Sequence, residues 1–155
     1  MTTSAPVVDG RVVGLAHYAA RAVLERVLSA HDVTFQQFIT LRLAAAADGP
    51  VELDALVDGV TGAVKVDASD VYVTVDELIA VGLLAEEEPS RVRITDVGRE
   101  LYTKGSAETA AAAARIYAGI SEEDRAVAGR VLTLVTERAD AELAALSEQP
   151  ATPSK

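Results

Sequence analysis

The stretch "DASDVYVTVDELIAVGLLAEEEPSRVRIT", Asp67–Thr95, decides the fold, and its first half reads two ways. Val71–Val75 is rich in β-branched and aromatic residues, which favour strands. Against that, Asp67 or Ser69 can cap a helix and Gly82 can end one. Val71, Val75, Leu78 and Ile79 recur every three to four residues, the period of a helix face. The spacing and the punctuation together predict a helix. "LLAEEEPSRVRIT" then reads as two short extended segments joined at Pro89–Ser90, a hairpin with Arg91 and Arg93 alternating on one side.

Upstream, Val12, Leu15, Ala16, Ala19, Val23 and Val27 form an apolar stripe at helical spacing. His17, Arg21 and Glu25 line another face, one turn apart. A second helix begins at Thr34, with Gln37 placed for a capping box, and stops at Asp48–Pro50. "VELDALVDGV" gives a short helix on Leu53, Leu56, Val57 and Val60, with "TGAVKV" as the loop after it. Downstream, Thr95 caps a long helix in which Gly105 favours a bend, and Ser121 starts the last one with acids in its first turn. The order is helix, helix, helix, helix, hairpin, helix, helix. It implies an all-α fold with a small β-wing, a winged helix-turn-helix. Long helices at both ends cannot bury their apolar faces on so small a lobe, so N- and C-terminal helices are expected to pair with a second copy as a homodimer.

A chain of 155 residues suits one domain. The expected division is a flexible start (1–8), a single domain (9–146) and a disordered tail (147–155). Within the domain, a winged lobe at about 49–96 lies between dimerisation helices at about 9–32 and 96–146. The start lacks a basic region followed by an apolar one, and no apolar run approaches the roughly eighteen residues of a spanning helix. The reading is cytoplasmic, with no membrane partner. Zero cysteines exclude disulfides, thiolate chemistry and cysteine-ligated metals. Arginine outnumbers lysine 11 to 3 amid abundant alanine and valine, which fits a GC-rich bacterial genome.

Net charge is −10, and nearly all of it lies in one place. Residues 51–90 hold ten acids and one base, Lys65, for −9; the rest of the chain has fourteen acids and thirteen bases, for −1.

Four fragments, in this order, resemble the MarR family of bacterial regulators over about residues 10–146: "AAADGPVELDALV", "VDELIAVGLL", "RVRITDVGRELY" and "GISEEDRAVAGRVL". The resemblance implies a dimer that binds palindromic DNA and releases it when a small, often aromatic or phenolic, ligand fills a pocket beneath the DNA-binding lobe. It also exposes departures. Val73, Glu77 and Val81 stand where such proteins carry basic or hydrogen-bonding residues, the wing tip shrinks to "EEEPSR", and the loop between the motif helices is longer.

Duplex affinity depends on phosphate neutralisation by Lys and Arg. Here Lys65, Arg91, Arg93 and Arg99 face ten acids, which argues against duplex DNA as a partner. Lys65, Ser69, Tyr72, Thr74, Arg91 and Arg93 are the candidate DNA contacts, and the helix offers no arginine for guanine. The candidate ligand residues are His17, Tyr18, Arg21, Phe38, Arg42 and Tyr102. The arginines could bind a carboxylate or phenolate, the rings could stack, and His17 could move a proton. Each alone also fits a core or interface position. His17 is the one catalytic candidate, since no phosphate-binding glycine loop or nucleophile elbow is present. The histidines lack ligand spacing, so no metal and no cofactor are expected; Asp54 and Asp58, one turn apart, read as exposed like charges. The expected function is a ligand-responsive DNA-binding transcription regulator with an atypically acidic contact surface. The alternative is the same fold without DNA, binding or converting a small molecule between its long helices. A third reading is an acidic lobe that docks a basic protein.

Overall fold

The computed structural model describes residues 4–149. Six helices and three short strands follow one another along the chain: α1 (Gly10–Ser29), α2 (Phe35–Ala45), β1 (Val51–Glu52), α3 (Leu53–Val64), α4 (Ala68–Ala80), β2 (Leu84–Glu87), β3 (Arg91–Ile94), α5 (Asp96–Tyr117) and α6 (Glu122–Glu148). The chain divides into two compact units, Met1–Arg115 and Ile116–Lys155.

The first unit holds the lobe. Asp67–Val81 is a helix and its caps, not a strand. Burying one face outweighs β-propensity here: Val71, Thr74, Val75 and Leu78 are buried along α4, the three-to-four spacing of a single stripe. The chain leaves α4 through Gly82 at φ +78°, a left-handed turn that glycine adopts without strain. Strands β2 and β3 then pair antiparallel, Leu84 with Ile94 and Glu87 with Arg91. Thr95 joins the end of α4 to the start of α5. Its backbone N–H donates to the Leu83 carbonyl at 3.1 Å, its hydroxyl donates to the Gly82 carbonyl at 2.7 Å, and the Gly98 N–H donates to that hydroxyl at 3.0 Å. Gly98 sits so close that an added Cβ would lie 2.1 Å from the Leu83 oxygen.

The core gathers Leu28 of α1, Phe38 and Leu41 of α2, Leu56 of α3, Val75 and Leu78 of α4, and Leu84 and Val92 of the wing. A second cluster, Val57, Val60 and Val71, joins α3 to α4. The Thr34 capping box at the head of α2 forms as the sequence predicts: Thr34 accepts from the Gln37 N–H, and the Gln37 side chain accepts from the Thr34 N–H.

Three local expectations change, and Gly105 gains a packing role. "TGAV" is the last turn of α3, which runs to Val64 and ends on Lys65 in the left-handed conformation. Strand β1 pairs Val51 with Val92 as a third strand; two residues after a proline carry too little pattern to announce it. Ser69 lies inside α4, and Asp67 holds the cap position without a side-chain cap bond. Gly105 lies within the continuous helix α5 and is buried because the Phe38 ring packs on it; a Cβ there would meet that ring at 3.0 Å.

In the second unit, the Ser121 hydroxyl accepts from the Asp124 N–H and opens α6, whose first turn carries Glu122, Glu123 and Asp124. Helix α6 runs through Glu148, so Ser147 and Glu148 of the expected tail are helical. Residues 150–155 of that tail, and 1–3 of the expected flexible start, lie outside the described residues.

Candidate functional site

Helix α4 packs on α2 and α3 and turns its other face outward, where Ser69, Tyr72, Val73, Asp76, Glu77 and Val81 are exposed. No lysine or arginine lies on that face. Of the ten acids between residues 51 and 90, nine are exposed and only Glu87 is half-buried, so the negative charge sits on the lobe's skin.

Local bonds occupy several of the candidate DNA contacts. Thr74 is buried: its hydroxyl donates to the Asp70 carbonyl at 2.9 Å and accepts from the Gln36 amide at 2.8 Å. The expectation that it meets DNA is therefore corrected, because α4 turns position 74 onto α2. Tyr72 is exposed, but its hydroxyl donates to Asp54 Oδ1 at 2.5 Å. That bond, with desolvation and the negative charges of Asp54 and Asp58 behind it, raises the phenol above its ordinary value. Arg91 Nη2 donates to the Glu88 carbonyl at 3.1 Å, and Arg93 Nε lies 3.8 Å from Glu87 Oε2. Lys65 Nζ donates to the Gly62 carbonyl at 2.6 Å. Arg99 is directed to the Ala45 carbonyl at 3.4 Å. Ser69 stays exposed in the first turn of α4. Glu77 accepts from the Gln37 amide at 2.8 Å, so this one acid is tied back to α2.

The candidate ligand residues fall into separate pairs. Phe38 and Tyr102 meet with ring centroids 5.5 Å apart, with Phe38 in the core. His17 and Tyr18 meet edge-on at 5.4 Å, with Tyr18 69% exposed. Arg21 bridges to Glu25 at 2.9 Å and lies 4.7 Å over the Phe35 ring. Arg42 is exposed in the last turn of α2. No hydrogen bond or ring contact joins these groups to one another among the described residues.

Sequence reading missed Phe35 as the partner of Arg21, and Gln36 and Gln37 as the tethers of α4. It also missed His31, whose Nε2 lies 2.7 Å from Glu108 Oε2, from 77 residues away. The helical periodicity of α2 did place Gln36 and Gln37 on the helix, but no local signal names their partners. Among the described residues no group of three or more His, Cys, Asp or Glu could hold a metal ion. Among them, too, no helix is long and apolar enough to cross a membrane.

A helix pair, α3 and α4, followed by the β2–β3 hairpin on which β1 pairs as a third antiparallel strand, defines a winged helix-turn-helix. Solved structures place it more narrowly. A transcriptional regulator of the MarR family from Rhodococcus sp. RHA1 superposes with a TM-score of 0.70 at 21% identity, over 82% of this chain and 91% of that one. CouR from Rhodococcus jostii RHA1, solved with p-coumaroyl-CoA, gives 0.71 at 21%, over 86% and 96%. A MarR family protein of Mycobacterium tuberculosis, solved in complex with DNA, gives 0.65 at 21%, over 85% and 98%. The fold is the MarR winged-helix fold. No family model and no curated protein matches the chain.

Proposed function

We propose that this chain is a ligand-responsive transcription regulator of MarR type, a homodimer that contacts DNA through an unusually acidic and therefore weak surface. It works in the bacterial cytoplasm. The lobe at about 49–96 meets DNA, and the helices at about 9–32 and 96–146 pair the two copies. The observation that carries the reading is the winged-helix arrangement that leaves the outer face of α4 exposed; the lack of lysine and arginine on that face is what makes the proposed contact weak. The similar fold solved with DNA supports a nucleic-acid role, and the one solved with p-coumaroyl-CoA supports a ligand role.

The contacts proposed for DNA are Ser69, Tyr72, Arg91 and Arg93, with Lys65 at the edge. A unit charge about 8 Å from a phosphate in water contributes roughly 0.5 kcal/mol. If half the acids face the duplex, a dimer loses several kcal/mol, comparable to ordinary nonspecific binding, and salt screens but does not reverse this. Recognition is left to hydrogen bonds and shape, with a shallow salt slope. A small aromatic or anionic ligand is proposed among His17, Tyr18, Arg21, Phe38, Arg42 and Tyr102.

The nine exposed acids also favour a second reading, a scaffold that has left DNA and binds or converts a small molecule, with His17 as its proton carrier. Titration against the upstream duplex and a random one, at low and moderate salt, separates the two. A sequence-preferring complex with a shallow salt slope supports the regulator; no complex at low salt overturns it.

A further inference from the structure

The chain has no asparagine, and three of its eleven aspartates stand before glycine: Asp9–Gly10, Asp48–Gly49 and Asp58–Gly59. An aspartate in that position is open to one backbone rearrangement, in which the glycine nitrogen attacks the side-chain carboxyl carbon. Glycine leaves this nitrogen unscreened, because it has no Cβ beside it. The ring closes only where the carboxyl can swing and the peptide can turn. Sequence treats the three steps alike; the fold separates them.

Asp9 is the N-cap of α1. Its Oδ1 accepts from the Val12 N–H at 2.9 Å and its carbonyl accepts from the Val13 N–H at 3.0 Å, so carboxyl and peptide are both held. Asp58 lies inside α3, where the Gly59 N–H belongs to the helical hydrogen-bond ladder. The Asp58 carbonyl also accepts from the Thr61 hydroxyl at 3.0 Å. Asp48 and Gly49 lie in the bend between α2 and β1, outside helix and strand, and both are exposed. Among the described residues the Asp48 carboxylate has no hydrogen bond or ion pair, and the Gly49 N–H has no backbone acceptor. An added Cβ at Gly49 would meet nothing within 4 Å.

We propose that Asp48 is a site of spontaneous isomerisation, the Asp–Gly step that the fold leaves reactive. The Gly49 nitrogen bonds to the Asp48 Cγ as a Cγ–O bond breaks, and that oxygen leaves as water with the amide proton and one from solvent. The product is a cyclic imide. Water then opens either ring C–N bond. Opening at the side-chain carbonyl restores aspartate; opening at the main-chain carbonyl gives isoaspartate, with the chain routed through Cβ. No oxidant or cofactor enters, and mass and charge end as they began. Isoaspartate adds a methylene to the main chain just ahead of β1, whose Val51 pairs with Val92.

The test ages the full-length chain at physiological pH and temperature in heavy-oxygen water. Tryptic peptides are then mapped by electron-transfer fragmentation, which distinguishes isoaspartate from aspartate. Each passage through the imide leaves one heavy oxygen behind. Cleavage at Arg42 and Lys65 gives one peptide holding both Asp48 and Asp58, so the second is an internal standard for the first. Isoaspartate and label are expected at Asp48 and not at Asp9 or Asp58. In the urea-unfolded chain all three steps should react. Gly49→Ala, whose methyl finds open space at a φ outside the left-handed region, should lose most of the product at Asp48, and Asp48→Glu all of it.

Equal yields at Asp48 and Asp58 in the folded chain overturn the proposal. So do the absence of product at Asp48, or an undiminished yield in Gly49→Ala. None of these readouts involves DNA or a ligand, so this proposal and the regulator reading fail separately.

Discussion

Leu78 of α4 is fully buried, whereas Leu134 of α6 is 46% exposed, although both are leucines inside regular helices. The contrast extends through both regions. The lobe closes its core with residues from α2, α3, α4 and the wing, and its skin is charged. Helix α6 is 27 residues long and buries none of them, while Val127, Leu132, Leu134, Val135, Leu143 and Leu146 stay exposed. Large apolar side chains left exposed along one helix suit a partner surface. Charge on the lobe says what it repels; bare hydrocarbon on α6 says that something must cover it, and a second copy is the proposed cover.

The sharpest way to break this comparison is to substitute both leucines. Leu78→Ala should cost about 2–5 kcal/mol of unfolding free energy in urea denaturation, by lost burial plus a cavity. Leu134→Asp should instead turn dimers into monomers in sedimentation and leave the lobe folded. Unchanged sedimentation would remove the proposed role of α6.

Two glycines give the next largest contrast. Gly98→Ala puts a Cβ 2.1 Å from a backbone oxygen and should cost about 1–3 kcal/mol as overpacking does. Gly129→Ala in α6 meets nothing within 4 Å and should raise helix stability by about 0.5–1 kcal/mol. Thermal unfolding of the two variants in parallel measures both.

The lobe's skin can be tested by neutralisation. Asp76→Asn, Glu86→Gln and Glu88→Gln combined should tighten duplex binding about tenfold or more at low salt, and the gain should shrink as salt rises. Gel shifts at two salt concentrations read this. No gain would mean these carboxylates face away from any docked duplex.

The smallest effect is at Tyr72. Its pKa is raised, chiefly by the hydrogen bond to Asp54, so its contribution to stability is fully present below the ordinary tyrosine value near 10. That contribution is lost as pH rises through the higher folded value. Asp54→Asn should bring the Tyr72 titration back toward about 10 in a ring-carbon NMR titration, and Tyr72→Phe identifies the signal.

Much of the fold is legible because its signals are local. Thr34 with Gln37, Thr95 and Ser121 begin helices at the positions their side chains can cap, and Gly82 ends α4 where only a left-handed turn fits. Even the ambiguous run Val71–Val75 resolves by period. The site is less legible because its signals are distant. Nothing near Thr74 in the chain says that Gln36 will hold it, and nothing near His31 points to Glu108. Nothing near Arg21 points to Phe35 either; the two meet because α1 packs on α2.

Sequence by itself determined the helix order, the wing, the capping and the lobe's charge, since period, turn chemistry and formal charge belong to neighbours along the chain. Only the tertiary structure decided which polar groups remain available. It turned Thr74 inward and set Arg91 and Arg93 beside acceptors of the wing itself. Packing brings together groups that lie tens of residues apart, and no local rule carries that information.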